Sequence, residues 1–202
     1  MIKIYHAPNT RGIRPIWTCE ELGIAYEVAH TDFSPAYRAT PEWREKHPVG
    51  KLPVMEDEDL RMFESGAMVQ YLLDRYGTGQ LQPDRQDPAY AAYLQWMWFG
   101  EATLSRPLGE IVNHGREFPG DARIEAVVDE MAGRAVACFD AVADHVRDRT
   151  YLLGDTFTAA DISVGYGIYL GQLLIADRLP ADLMDYWERL NTRPAMKAAL
   201  AA

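Results

Sequence analysis

The sequence is poor in cysteine and in basic residues. Only two of its 202 residues are cysteines, Cys19 and Cys138, and they lie far apart in the chain. That spacing indicates reduced thiols rather than a disulfide framework. There are 20 basic against 30 acidic side chains, a formal net charge of −10, with no local cluster of Lys and Arg. Because such a surface repels phosphate backbones, nucleic acid is not an expected partner.

Long apolar segments are also missing. The longest uncharged run, residues 162–176, contains Ser163, Gln172 and three glycines. It is shorter than the roughly 20 apolar residues that a membrane-spanning helix requires. The first residues reach a polar turn at once, without an apolar stretch of signal-peptide length. The sequence therefore predicts no membrane span and a cytoplasmic protein.

The apolar pattern changes part-way along the chain. Before residue 81, short strand-like runs are separated by helical patterns; the runs are residues 2–5, 26–29, 53–55 and 60–63. After a linker rich in Gly and Pro, apolar residues recur only at helical spacing. The sequence predicts an α/β domain in residues 1–80 followed by an all-α domain in residues 81–202.

Two short segments of the first domain could hold a ligand. Since Pro53 cannot donate a ladder hydrogen bond, Leu52 would present an unpaired backbone edge to a peptide-like ligand. At the start of the next helix, bare amides and the Ser65 hydroxyl would bind a carboxylate. Glu64 would receive an ammonium group and Lys51 a second carboxylate. The set describes a short zwitterionic peptide with an extra acid. Taken singly, Ser65 is more simply a helix cap and Lys51 a surface lysine.

Five segments, taken in order, carry a family resemblance. They are the first strand with its Pro-containing turn, Trp17-Thr-Cys-Glu-Glu-Leu-Gly-Ile, Gly50-Lys-Leu-Pro53, Phe63-Glu-Ser-Gly-Ala67 and Gly154-Asp-Thr-Phe-Thr-Ala-Ala-Asp-Ile162. With them the sequence resembles the cytosolic glutathione S-transferases. The resemblance implies a thioredoxin-like first domain that binds glutathione as co-substrate. It also implies an all-helical second domain, bordering the electrophile pocket and the interface of a homodimer.

The resemblance also assigns roles to the candidate binding residues. The backbone of Leu52 would pair with the cysteinyl unit of glutathione beside a cis Pro53. Glu64 and Ser65 would hold the γ-glutamyl end, and Lys51 the glycyl carboxylate. The implied activity is conjugation of the glutathione thiolate to a small hydrophobic electrophile, as in detoxification. A glutathione-dependent disulfide reductase or peroxidase and a non-catalytic glutathione-binding scaffold remain alternatives.

The thiol-activating residue is left open by the sequence. The family supplies a donor from a Tyr at the end of the first strand, or from a Ser or Cys in the following turn, and no Ser or Cys lies between Tyr5 and Gly12. The candidates, in order, are Thr10 and Asn9, then Arg11, then Tyr5. Each also has a structural interpretation, as turn former, ion-pair partner or core aromatic. A turn without a thiol argues against disulfide exchange through a protein cysteine.

The second half suggests structure more than chemistry. Thr158 and Asp161 have the spacing of a capping box, which predicts a helix start. Trp96 and Trp98 are two residues apart and cannot share a helical face, so one of them is expected to face a cleft or a partner. The histidines show no metal-ligand spacing, and no metal site is predicted.

Overall fold

A computed structural model describes residues 1–202, and the chain divides into two compact units. One unit contains residues 1–81 together with residues 192–202, and the other contains residues 82–191. The prediction placed all of residues 81–202 in the helical domain. The structure differs at the C-terminus, where the last eleven residues belong to the first unit.

A four-stranded mixed sheet forms the centre of the first unit. Its strands are β1 (Ile2–His6), β2 (Tyr26–His30), β3 (Val54–Asp57) and β4 (Leu60–Phe63), in the order β2-β1-β3-β4. β1 runs parallel to β2 and antiparallel to β3, and β3 and β4 form a hairpin. Buried and half-buried side chains alternate along β1, as expected for a strand whose two faces are covered unequally. The predicted strands and the thioredoxin-like first domain are confirmed.

Helices make up most of the remaining structure. They are α1 (Ile13–Leu22), α2 (Pro35–Arg38), α3 (Pro41–Lys46), α4 (Ser65–Tyr76), α5 (Ala89–Trp98), α6 (Ser105–Glu117), α7 (Glu125–Val146), α8 (Ala159–Ile175), α9 (Met184–Asn191) and α10 (Pro194–Ala201). The apolar pattern that begins at Ile13 stops at Gly23 and predicts a helix end there; α1 does end at Gly23, whose φ of 67° is left-handed. α10 packs on α1, and the Arg193 guanidinium binds both carboxylate oxygens of Glu21, at 2.6 and 2.7 Å.

A π-helical segment, Phe99–Leu104, joins α5 to α6. Gly100 packs so closely on α8 that a Cβ there would lie 2.5 Å from the Ser163 hydroxyl oxygen. Ser105 caps the irregularity by donating its hydroxyl hydrogen to the Gly100 carbonyl, 2.6 Å away. The sequence predicts one continuous helix here. A periodicity count does not reveal a π-bulge, and the close approach of Gly100 to Ser163 is a contact between segments distant in the sequence.

α8 is the central helix of the second unit. Its start carries the predicted capping box between Thr158 and Asp161. With the turn that follows, it is long and apolar enough to cross a membrane by composition, but 72% of its apolar window is buried inside the fold. A core helix has this character.

The apolar spacing of residues 124–146 predicts one buried face that begins at Ile124, and the structure of α7 corrects part of this prediction. Val128, Phe139 and Val142 are buried as expected, whereas Ile124 and Val127 are 48% and 37% exposed. Ile124 precedes the helix in an extended conformation and therefore does not lie on the helical stripe.

Candidate functional site

Three loops meet at one end of the sheet. Tyr5 pairs with Val54, and Val54 pairs with Phe63, so the end of β1, the start of β3 and the end of β4 lie side by side. The turn after β1, the loop before β3 and the β4–α4 junction therefore converge. These are the segments in which the sequence predicts the site residues.

The turn after β1 holds Asn9, Thr10 and Arg11. Asn9 is exposed, at a φ of 64°, and Arg11 is half-buried. The Thr10 hydroxyl lies 2.7 Å from the Ala7 carbonyl oxygen, to which it donates, and 3.2 Å from Nδ1 of His6. A hydroxyl has one hydrogen, and the Ala7 carbonyl takes that of Thr10. The hydroxyl hydrogen of Thr10 is therefore already engaged within the turn.

Tyr5 is occupied elsewhere. Its hydroxyl donates to Oε2 of Glu56 at 3.0 Å, and its ring packs edge-on against Trp43 with 5.8 Å between centroids. Burial, followed by the hydrogen bond to Glu56, raises the pKa of Tyr5. The structural interpretation of Tyr5 as a core aromatic thus accounts for its contacts, and they argue against a role in thiol activation.

The loop before β3 presents a backbone edge. The Leu52–Pro53 peptide bond is cis, as the resemblance implies, and both residues are buried. The pairs of β3 begin only at Val54, which leaves the Leu52 backbone outside the sheet ladder. Gly50 has a φ of 62°, and a Cβ there would lie 2.4 Å from a backbone carbonyl, so only glycine fits. Lys51 follows it and is exposed.

The β4–α4 junction places Glu64 and Ser65. Glu64 has a φ of 75° and occupies the N-cap position, with an exposed side chain. Ser65 is the first residue of α4, so its interpretation as the helix cap is wrong. Its side chain instead accepts a hydrogen bond of 3.1 Å from Nη1 of Arg14. The amides of the first turn of α4 lie beside it, as an anion site requires.

The sequence does not single out Arg14 or His6, which lie beneath the site. Arg14 is fully buried, although it stands in an apolar stretch between Ile13 and Pro15. His6 is buried at the end of β1, and burial, followed by the nearby His30, lowers its pKa to about 4. The only sequence signal for Arg14 is that a basic residue interrupts the apolar pattern of α1. Helical periodicity alone would place such a residue equally well at the edge of the buried face.

The turn after β1 contains no cysteine, and the nearest one along the chain does not supply a reactive thiol. Cys19 is buried in α1, and burial raises the pKa of its thiol to about 12. Such a thiol is not a nucleophile near neutral pH. Because free cysteine behaves as a small apolar group, the sequence predicts a buried Cys19, and this is confirmed, whereas Cys138 of α7 is half-exposed.

Two domain models of one known family match most of the chain. The family model for the N-terminal domain of glutathione S-transferase matches residues 1–74, and that for the C-terminal domain matches residues 125–192. Glutathione S-transferase PM239X14 of Arabidopsis thaliana is 30% identical over 182 residues, covering 85% of this chain and 83% of the relative. The chain belongs to the glutathione S-transferase family. It is an enzyme of that family, with glutathione as its co-substrate.

Two further glutathione S-transferases match nearly the whole chain. Glutathione S-transferase 3 of Schizosaccharomyces pombe is 29% identical, covering 98% of this chain and 86% of the relative. The solved theta class glutathione S-transferase of Xanthomonas axonopodis pv. citri, with glutathione bound, has a TM-score of 0.84 and 26% identity. The match covers 100% of this chain and 97% of that one. The N-terminal and C-terminal domains of the glutathione S-transferase fold are both present.

The second domain of this glutathione S-transferase carries the aromatic pair. Trp96 is buried against His145, with 4.5 Å between ring centroids, whereas Trp98 is exposed. The two side chains lie on different faces of α5, as the spacing predicts.

Proposed function

We propose that this glutathione S-transferase joins the glutathione thiolate to a small hydrophobic electrophile. The thiolate attacks an electrophilic carbon and forms a carbon–sulfur bond. A halide leaves, or an opened epoxide oxygen takes a proton, while the thiol proton passes to solvent. The observation that carries the proposal is the convergence of the three loops, fixed by the register Tyr5–Val54–Phe63.

Glutathione would lie along these three loops. The Leu52 backbone, which lies outside the sheet ladder beside cis Pro53, suits the cysteinyl unit because strand addition supplies main-chain hydrogen bonds. Ser65 and the α4 amides suit the γ-glutamyl carboxylate, and the exposed Glu64 suits its ammonium group. Lys51, one residue before Leu52, suits the glycyl carboxylate. A bound anion is thereby accommodated in a chain whose net charge is −10.

Thiol activation would rest on Asn9. Its side-chain amide carries two hydrogens, so a second hydrogen bond can form beside an existing one, and Arg11 adds a positive charge two residues away. The Thr10 hydroxyl hydrogen is donated to Ala7, and that of Tyr5 to Glu56. A hydrogen bond to a charged group contributes about 1.5–3 kcal/mol, and about 1.4 kcal/mol lowers a pKa by one unit. One such donor therefore lowers the thiol pKa by about one to two units.

The test replaces Asn9, Thr10 and Tyr5 in turn and measures the pKa of the bound glutathione thiol from the ultraviolet absorbance of its thiolate, together with kcat/KM for 1-chloro-2,4-dinitrobenzene. Asn9→Ala is expected to raise the thiol pKa by about one unit or more and to lower kcat/KM about 10- to 100-fold. Thr10→Val and Tyr5→Phe are expected to leave the thiol pKa nearly unchanged.

Tyr26→Phe is the matched control. It removes the same hydroxyl as Tyr5→Phe, but from β2, where Tyr26 donates to Glu20 at 2.5 Å. An unchanged thiol pKa in Asn9→Ala would show that a donor other than Asn9 activates the glutathione thiol. Tight glutathione binding without turnover of any halogenated or epoxide electrophile would contradict conjugation itself.

A homodimer in the cytoplasm is part of the same proposal. β4 is an edge strand of the sheet, and Leu60 and Phe63 on it are large, exposed apolar side chains. Such side chains favour association. Sedimentation equilibrium is expected to give twice the chain mass of 22.8 kDa, and Phe63→Glu to shift it toward the monomer.

A further inference from the structure

Arg14 is a guanidinium with no exposure to solvent, one residue into α1. Arginine stays charged at all physiological pH values, and removing its charge from water is costly. Such a residue requires compensating contacts, and one of them is the 3.1 Å hydrogen bond from Nη1 to the Ser65 hydroxyl oxygen. This bond joins the start of α1 to the start of α4.

The bond fixes the direction of the Ser65 hydroxyl. A guanidinium only donates, so the Ser65 oxygen must accept from Arg14, and its own hydrogen points elsewhere. Ser65 is 2% exposed and has no other side-chain hydrogen bond in the chain. A buried hydroxyl hydrogen without an acceptor is unfavourable unless a ligand supplies one.

We propose that Arg14 is a positioning residue for the γ-glutamyl carboxylate of glutathione. Its guanidinium donates to the Ser65 oxygen on the side away from the ligand, so that the hydroxyl hydrogen is directed at the carboxylate before glutathione binds. Preorganisation of this kind strengthens binding because the ordering cost is met in the free protein. A donor polarised by a charged neighbour also binds an anion more strongly. The inference rests on the proposed glutathione site. It assigns to Arg14 the preference of that site for a ligand that carries the γ-glutamyl carboxylate.

The experiment compares two ligands by calorimetry on the full-length protein. One is glutathione and the other is γ-aminobutyryl-cysteinyl-glycine, which lacks only the γ-glutamyl carboxylate. Arg14→Met is expected to weaken glutathione binding about 10- to 100-fold, as for loss of a hydrogen bond to a charged group, and to leave binding of the analogue unchanged. The pKa of the bound thiol and kcat at saturating glutathione should stay at the wild-type values. The double variant Arg14→Met/Ser65→Ala should bind glutathione no more weakly than Ser65→Ala.

Two further variants keep the test decisive. Thr18→Val removes a buried hydroxyl bond of 2.9 Å to the Arg14 carbonyl, one turn along α1, without touching Ser65. It reports the effect of loosening α1 alone, and its preference for glutathione over the analogue should match the wild type. If Arg14→Met does not fold, Arg14→Lys retains the charge with a shorter reach, and it should lose part of the same preference.

The outcomes separate the two proposals. Equal weakening of both ligands by Arg14→Met or Arg14→Lys would overturn the positioning role and leave the glutathione site standing. A wild-type protein that binds neither ligand would instead contradict the proposed function.

Discussion

Both units bury a charged side chain near the start of a helix, but they satisfy it differently. In the second unit, each oxygen of Asp161 accepts two hydrogen bonds: from Leu152 N and the Tyr186 hydroxyl at 2.9 and 2.8 Å, and from Thr158 N and its hydroxyl at 2.8 and 3.1 Å. In the first unit, Arg14 binds Ser65, whose hydroxyl hydrogen has no acceptor in the chain. The Asp161 network is closed within the protein, whereas the Ser65 hydroxyl adjoins the proposed glutathione site.

The largest expected effect comes from breaking the complete network. Asp161→Asn replaces one acceptor oxygen by a donor that faces two donors, at a fully buried position. We expect the free energy of unfolding, measured by urea denaturation, to fall by about 3–5 kcal/mol. Asp144→Asn is the control, since Asp144 is exposed and pairs only with Arg147 on the surface. It should change stability by less than about 1 kcal/mol. A similarly small effect at Asp161 would remove the structural half of the comparison.

The second effect concerns His6, a titratable group buried beneath the ligand site. Its pKa in the folded protein is about 4, below the ordinary value of 6.5, because burial disfavours the charged form. The unfolded chain therefore binds a proton first as the pH falls. Stability from the neutral ring is complete above about pH 6.5 and is lost progressively down to about pH 4.

The difference of about 2.5 pKa units corresponds to about 3 kcal/mol. His6→Asn should flatten the dependence of unfolding free energy on pH in this window. An exposed histidine, His30, provides the control variant His30→Asn, which should keep most of the slope. Direct titration by NMR of a His6 signal near pH 6.5 would contradict the expectation.

The smallest effect comes from the ion pair of Arg193 and Glu21, which is partly exposed rather than fully buried. Arg193 binds Glu21 through two parallel hydrogen bonds and fastens α10 to α1. Arg193→Met should destabilise the protein by about 1 kcal/mol, as for a partly exposed bidentate pair. Arg178→Met breaks an exposed pair with Asp129 in the second unit and should cost less. If the two variants are equivalent in denaturant unfolding, the fastening of α10 does not depend on this pair.

Local signals predicted much of the fold and of the site. The strand runs, the Gly23 helix end and the Thr158–Asp161 capping box each depend on neighbouring residues, and the structure has all of them. The three loops that hold the candidate residues also lie together; the β3–β4 hairpin is a local part of that convergence, whereas the pairing of Tyr5 with Val54 joins strands far apart in the chain. The π-helical segment did not follow from the sequence, since Gly100 is constrained by a residue more than sixty positions away.

The sequence by itself determined the two-domain architecture and which loops hold the candidate site, because periodicity and turn chemistry act over a few residues. Only the tertiary structure decided what each polar group in the site is bonded to. Tyr5 is paired with Glu56 and Ser65 with Arg14, each 51 positions away along the chain. A hydrogen bond between side chains so distant in sequence depends on packing, and packing is settled only when the chain has folded.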